Sequence, residues 1–233
     1  MFTSAIILAA GGSTRMGFDK LLAEINGIPA FLYSVYAFEH SAADEIILVA
    51  PSEKIPKYEE ILSGLEINKP LKVIGGADIR PRSALNGINA AKGELLLIHD
   101  AARPFVCDRL INDVIDAAKQ HGAAIPAVKL KDTVKFCADG FVQSTPRRET
   151  LRAVQTPQAF IKKEYLDAVK AAGDRINVIT DDAALFEAAG KKVAVTEGDP
   201  RNFKLTSPED VVYAEAIAAK YPEFTIRRDQ CSE

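Results

Sequence analysis

Ala5-Ile6-Ile7-Leu8 runs without interruption into Ala9-Ala10-Gly11-Gly12-Ser13-Thr14-Arg15-Met16-Gly17. A short apolar run with no polar alternation reads as a strand covered on both faces. A glycine-rich turn at its end is where α/β proteins offer backbone N–H groups to phosphate. The same pattern recurs outward along the chain. Strand-like runs at Glu45–Val49, Lys72–Ile74, Glu94–His99, Ala123–Ala127 and Lys192–Val195 alternate with helical patterns at Ala30–His40, Lys54–Ser63, Ser83–Ala91, Arg109–Gln120, Lys163–Ala172, Asp181–Ala189 and Pro208–Lys220. Ser83, Asp181 and Ser207 stand at helix starts as capping residues. This order predicts an α/β, doubly wound, mostly parallel sheet with ligands at the carboxyl edge of its strands.

Two familiar phosphate motifs fail at the first turn. From Gly11 the dinucleotide fingerprint requires glycines where Ser13 and Met16 stand, and a Walker A loop requires Lys and Ser/Thr where Phe18-Asp19 follow Gly17. What remains is a loop with Arg15 inside and Lys20 just beyond, a pair that suits a triphosphate. A tight turn with solvated cations is the plainer alternative.

Composition narrows the partners. In 233 residues, 29 Lys+Arg against 32 Asp+Glu give a net charge of -3, so no global basic field points to nucleic acid or an anionic membrane. No apolar run reaches the roughly 20 residues of a membrane helix. Cys107, Cys137 and Cys231 are odd in number without Cys-x-x-Cys spacing, which suits a reducing, cytoplasmic compartment.

One segment breaks the rhythm. Between Lys131 and Leu151, Thr133-Val134-Lys135-Phe136-Cys137 and Phe141-Val142-Gln143-Ser144 flank Asp139-Gly140, a type I′ turn signal. A hairpin too polar for the core is expected to project, and isolated hairpins are marginal in water. Residues 131–151 are therefore expected to form an arm that packs on a second subunit of a homodimer, the whole chain 1–233 being a single domain.

Two further segments carry chemistry. Gly75-Gly76-Ala77-Asp78-Ile79-Arg80-Pro81-Arg82-Ser83 offers flexible backbone, two guanidinium groups and a hydroxyl, which suits a nucleobase edge or phosphate; a helix start with surface arginines is the alternative. Leu95-Leu96-Leu97-Ile98-His99-Asp100-Ala101-Ala102-Arg103-Pro104 drives an apolar strand into an acid. A carboxylate there needs a cation, making Asp100 a Mg²⁺ candidate. His99, without a nucleophile partner, reads as a packed residue.

Ala-Ala-Gly-Gly-Ser-Thr-Arg-Met-Gly followed by Lys-Leu-Leu resembles the signature of the sugar-nucleotidyltransferase superfamily, whose Rossmann-like fold moves a nucleoside monophosphate from an NTP to a phosphate. That family commonly places Pro, not Asp19, before the lysine and has a longer spacer; the short loop resembles that of the molybdenum-cofactor nucleotidyltransferases. Gly-Gly…Arg-x-x-Ser and His-Asp-Ala-Ala-Arg-Pro, with Lys131-Asp132-Thr133-Val134-Lys135, Arg148, Thr156-Pro157-Gln158, Ile179-Thr180-Asp181-Asp182-Ala183 and Asn202-Phe203-Lys204-Leu205-Thr206, resemble the 2-C-methyl-D-erythritol 4-phosphate cytidylyltransferases over residues about 5 to 217. The ribitol-5-phosphate cytidylyltransferases are the alternative with the same fold, arm and CTP chemistry.

The resemblance implies that CTP and a polyol phosphate are the substrates. Arg15 and Lys20 would be catalytic, clamping the triphosphate. Ala9, Ala10, Gly11, Gly75, Ser83, Asp100 and Ala101 would line the nucleotide pocket, Asp100 also holding Mg²⁺. Thr133 and Arg148 from a partner's arm, with Thr156 and Lys204, would hold the acceptor phosphate. Read without it, Thr133 is a strand former, Arg148 a charged arm residue, Thr156 a turn residue and Lys204 a solvated edge charge. Asp181 and Asp182 read as acids that favour a helix dipole. An oxidoreductase would need the missing glycine fingerprint, and a non-catalytic nucleotide-binding regulator would have little use for Asp100, Arg148 and Lys204.

Overall fold

The computed structural model describes residues 1–11, 19–224 and 226. Its strands are β1 (Thr3–Leu8), β2 (Glu24–Ile25), β3 (Ile28–Pro29), β4 (Glu45–Ala50), β5 (Leu71–Gly75), β6 (Leu95–Asp100), β7 (Ala123–Lys129), β8 (Phe136–Ala138), β9 (Phe141–Ser144), β10 (Arg152–Val154), β11 (Gln158–Ile161) and β12 (Ala194–Glu197). Its helices are α1 (Ala30–Glu39), α2 (Ile55–Ser63), α3 (Arg80–Ala90), α4 (Asp108–His121), α5 (Lys162–Ala172), α6 (Asp182–Ala188) and α7 (Glu209–Lys220).

Successive strand residues serve opposite faces. Ala5, Ile7, Ile46, Leu48, Leu95 and Leu97 join a core completed by Phe31 of α1, Tyr58 of α2, Val114 of α4 and Ile217 of α7. Their neighbours Ile6, Leu8, Ile47, Val49, Leu96 and Ile98 join a second core with Ile88 of α3, Tyr165 of α5 and Phe186 of α6. Because both faces are covered, the runs carry no alternation of polarity, which is why they read as buried strands.

The main sheet runs β10-β7-β11-β6-β1-β4-β5, with β12 also on β7. β4, β1 and β6 are parallel neighbours, and β5 extends the parallel set beyond β4. The expected doubly wound, mostly parallel sheet is therefore present, and the chain reverses its direction of travel across the sheet at β1 and β6. β11, for which the sequence pattern gives no strand, lies inside the sheet and antiparallel to both β6 and β7.

β10 and β11 also flank a bulge against β7. Val154 opposes Ala127 and Ala159 opposes Ala124, so residues 155–158 face only 125 and 126. An insertion of this kind re-aims side chains.

Asp139 and Gly140 have φ of 50° and 80°, as a type I′ turn requires, and β8 and β9 pair across them in a separate two-stranded sheet. Phe136, Phe141 and Val142 are exposed there. At the other helix starts two expectations change. Ser83 lies inside α3, which begins at Arg80 because Pro81 supplies a preset φ in the first turn. The cap position of α7 falls on Pro208, and Asp210 instead accepts from the N–H groups of Thr206 and Ser207. Asp181 does cap α6, accepting from Ala184 N–H at 3.0 Å.

Candidate active site

β1 and β6 end side by side, Leu8 opposite Asp100. Each strand's exit remains tied to its neighbour: Ala9 N–H donates to Val49 O at 2.7 Å and Ala101 N–H to Leu8 O at 3.0 Å. Gly76 N–H donates to Ala50 O at 2.8 Å beyond β5. The three exits thus open at one level of the carboxyl edge, around a cavity of about 280 Å³.

Ala10, Gly11, Lys20, Ser83, Asp100 and Lys204 line this cavity. Six residues expected from separate motifs are therefore brought together. Ala9 and Ala101 are buried just after β1 and β6 and, like Gly75 at the end of β5, do not line the cavity; the Gly75 carbonyl accepts from Asn86 Nδ2 at 3.0 Å. Ser83 Oγ accepts from Ala77 N–H at 2.9 Å, fixing the 75–77 turn over the helix start. Gly76 is required here, since a Cβ would meet the Ala10 side chain and lie 3.1 Å from Ser83 Oγ. Arg15 lies outside the described residues.

Lys20 reaches the cavity because Asp19 organises the loop exit. Asp19 Oδ1 accepts from Leu21 N–H at 3.1 Å, its Oδ2 pairs with Lys54 at 2.7 Å, and its carbonyl accepts from Leu22 and Ala23. An Asp in the place commonly held by Pro therefore fixes the turn through hydrogen bonds. Lys20 Nζ donates to Leu205 O at 3.3 Å, one residue beyond Lys204.

Asp100 is the electrostatic centre. Arg80 approaches Oδ1 at 3.1 Å and Lys204 donates to Oδ2 at 2.8 Å. Burial alone would raise the Asp100 carboxyl, but Arg80 and then Lys204 outweigh it and hold the group well below the usual carboxylate range. It is a fixed negative charge.

The bulge places Thr156 behind Asp100, where its Oγ1 accepts from Asp100 N–H at 3.0 Å and lies 3.0 Å from His99 Nδ1. The Thr156 hydroxyl therefore donates to Nδ1, leaving Nε2–H to donate to Arg103 O at 3.0 Å. Burial pushes the imidazole down to about 4, so His99 is the neutral, packed residue its sequence context suggests. Thr156, expected at the acceptor, is buried and bound to the backbone of Asp100.

The same bulge aims Lys204. Gln155 Nε2 donates to Asp199 O at 2.8 Å and Asn202 O at 3.1 Å, while Asn202 Nδ2 donates to Thr156 O at 2.8 Å. Thr133 and Arg148 are exposed and line none of this cavity; Arg148 Nη1 donates to Lys131 O at 2.7 Å within the hairpin.

Asp182 is the main departure from the sequence reading. It is 2% exposed, accepting from Arg80 Nη1 at 2.7 Å and from the Tyr165 hydroxyl at 2.8 Å. Its partner Arg80 belongs to the 75–83 segment, but the pairing spans 102 residues and leaves no local pattern.

A cleft that sets lysines and a fixed carboxylate around the first turn of a doubly wound sheet places this protein among the nucleotidyltransferases. The family profile described as 2-C-methyl-D-erythritol 4-phosphate cytidylyltransferase matches residues 3–220. Similar proteins of that name come from Geobacillus kaustophilus, 43% identical over 92% of this chain and 96% of the relative, and from Bacillus mycoides, 41% identical over 91% and 96%. A crystal structure of 4-diphosphocytidyl-2C-methyl-D-erythritol synthase from Anaerococcus prevotii superposes with a TM-score of 0.82, at 32% identity over 94% of this chain and 99% of that one. The enzyme from Thermus thermophilus gives 0.77, also at 32% identity, over 94% and 100%. The chain belongs to the 2-C-methyl-D-erythritol 4-phosphate cytidylyltransferase family.

Proposed function

We propose that this protein transfers CMP from CTP to 2-C-methyl-D-erythritol 4-phosphate, releasing pyrophosphate. The observation that supports this reading best is the meeting of Lys20, Lys204 and the ionised Asp100 around one cavity bordered by the first turn. The acceptor phosphate is already a nucleophile near neutral pH, so attack at the α-phosphorus needs no strong base. An oxygen–phosphorus bond forms as the bond to the pyrophosphate oxygen breaks, and that oxygen takes the electron pair. The difficulty is charge and alignment, which placed cations and backbone donors address.

In this reading the backbone at Ala10 and Gly11 and the turn fixed by Ser83 hold the nucleotide. Lys20, with Arg15, meets the developing negative charge, and Lys204 receives the acceptor phosphate. Among the described residues no group of three His, Cys, Asp or Glu side chains forms a metal cage, but Mg²⁺ is commonly held by one carboxylate and substrate phosphates. Asp100 fits that role once an incoming phosphate draws Lys204 away, since Oδ2 is then open while Arg80 stays on Oδ1. Bound there with the nucleotide, Mg²⁺ would offset charge on the triphosphate.

The exposed hairpin with Thr133 and Arg148 is read as an arm that serves a partner subunit's site in a homodimer. A lone two-stranded sheet exposing Phe136, Phe141 and Val142 supports this. A cytoplasmic location accords with the composition.

A pyrophosphate-release panel tests the reaction by crossing the common NTPs with methylerythritol phosphate, ribitol phosphate and no acceptor, with and without chelator. Turnover is expected only with CTP, methylerythritol phosphate and Mg²⁺. Equal use of ATP, full activity in chelator, or preference for ribitol phosphate would each overturn the corresponding part.

A further inference from the structure

Arg80 is the first residue of α3, where the helix dipole disfavours a cation and no acid stands in the first turn. Its charge is compensated from two other elements. Nε and Nη2 each lie 3.1 Å from Asp100 Oδ1 at the end of β6, while Nη1 donates to Asp182 Oδ2 at 2.7 Å in the first turn of α6. The remaining oxygen of Asp182 accepts from Tyr165 of α5. A guanidinium is a planar fork, so fixing one arm fixes the direction of the others. Asp182 and Tyr165 are both buried in the structure, and neither lines the cavity.

We propose that Asp182, anchored by Tyr165, is a positioning residue of the transfer reaction, holding Arg80 so that Asp100 stays fixed at the cavity edge. The proposal rests on the reaction assigned above. Charge balance separates it from a simple electrostatic role. Arg80 and Lys204 pair directly with Asp100, Arg80 also with Asp182, and the Arg103 guanidinium acts on Asp100 from further off. Removing the Asp182 charge leaves the cavity more positive, which by itself would favour a triphosphate. It also removes the second anchor of Arg80, whose guanidinium then moves among several orientations and disturbs the Asp100–Lys204 pair. Nucleotide affinity is then retained while alignment is lost, a signature that general destabilisation does not give.

The test is Asp182→Asn, which keeps shape and removes charge, beside Tyr165→Phe, which removes only the anchoring hydroxyl. For Asp182→Asn the expected result is a fall in kcat of about tenfold to a hundredfold, with the CTP dissociation constant unchanged or lower. Tyr165→Phe is expected to fall in the same direction, about threefold to tenfold. Native circular dichroism is required of each, and should Asp182→Asn not fold, Tyr165→Phe decides. Wild-type kcat in a folded variant, or a loss confined to thermal stability, overturns the proposal. The wild-type reaction run alongside tests the reaction itself. The Arg80 side-chain NMR signal tests placement independently of turnover: it is restrained in the wild type and averaged in the variants, and a restrained signal in both variants overturns the inference.

Discussion

Lys204 Nζ donates to Asp100 Oδ2 at 2.8 Å, across 104 residues of chain. An incoming phosphate on Lys204 must compete with this pair, and in doing so releases one Asp100 oxygen. Lys204→Gln is therefore expected to raise the KM for methylerythritol phosphate by about tenfold or more, since a charge-assisted bond to phosphate is lost. The CTP dissociation constant should move much less. Initial rates with each substrate varied in turn check this, and an unchanged acceptor KM contradicts it.

Lys20→Ala is expected to lower kcat by about a hundredfold, with a smaller loss of CTP affinity, because a cation at the reacting phosphates acts mainly on developing charge. Single-turnover kinetics with separately measured CTP binding distinguish the two effects. Unchanged turnover would reduce Lys20 to its structural contact with the Leu205 carbonyl.

For the hairpin, Arg148→Ala and Lys20→Ala are each expected to inactivate homodimers. If arms are exchanged between two subunits, co-folding gives a mixed dimer in which one site carries both lesions and the other neither. Activity up to about half of wild type per mixed dimer is expected if arms are exchanged. Mixed dimers that form without activity would place Arg148 at its own subunit's site or show that both sites must act together.

Gly76→Ala would set a Cβ against the Ala10 side chain, beside Ser83 Oγ. Neither neighbour is the far end of a flexible chain, so the 75–77 turn must move, at a cost of about 1–3 kcal/mol. Calorimetry should show CTP binding weakened at least about tenfold. Wild-type binding and melting would mean the turn yields without loss.

Alkaline pH tests the burial of three tyrosines. Burial pushes Tyr33 up to about 12 and raises Tyr58, with Asp19 adding to the latter; burial and then Asp182 raise Tyr165. The unfolded chain releases these protons first, near the ordinary value of about 10. The stability they contribute is thus complete below about pH 10 and lost as pH rises toward 12. Denaturant midpoints at stepped pH should fall across that window, with tyrosinate absorbance rising as the fold is lost. A constant midpoint would count against the burial argument.

Most of the layered architecture is legible because Ile6, Ile47 and Leu96 stand in runs that no partner had to explain. β11 is not, since Gln158-Ala159-Phe160-Ile161 follows Pro157 and acquires strand geometry only between β6 and β7. Asn26 and Gly27, with φ of 52° and 79°, turn β2 into β3, but strands of two residues each are too short to carry a pattern. Ala10, Gly11, Lys20 and Lys204 could be placed at the site because each sits in a recognisable motif. Asp182 could not, because an acid opening a helix has the same local sequence whether it faces water or a buried guanidinium.

The bulge at 155–158 joins the hairpin base and the cleft in one stretch of chain. Arg152–Val154 carries the base of the hairpin along β7, Gln155 grips the loop that presents Lys204, Thr156 supports Asp100, and Gln158 donates to Asp181 at the start of α6. Within seven residues of chain, 152–158, the hairpin base, the loop before Lys204 and the backbone of Asp100 are thus held by one stretch. For engineering, residues 131–161 therefore form the natural unit of exchange between relatives. A hairpin transplanted without its bulge would arrive with the wrong reach.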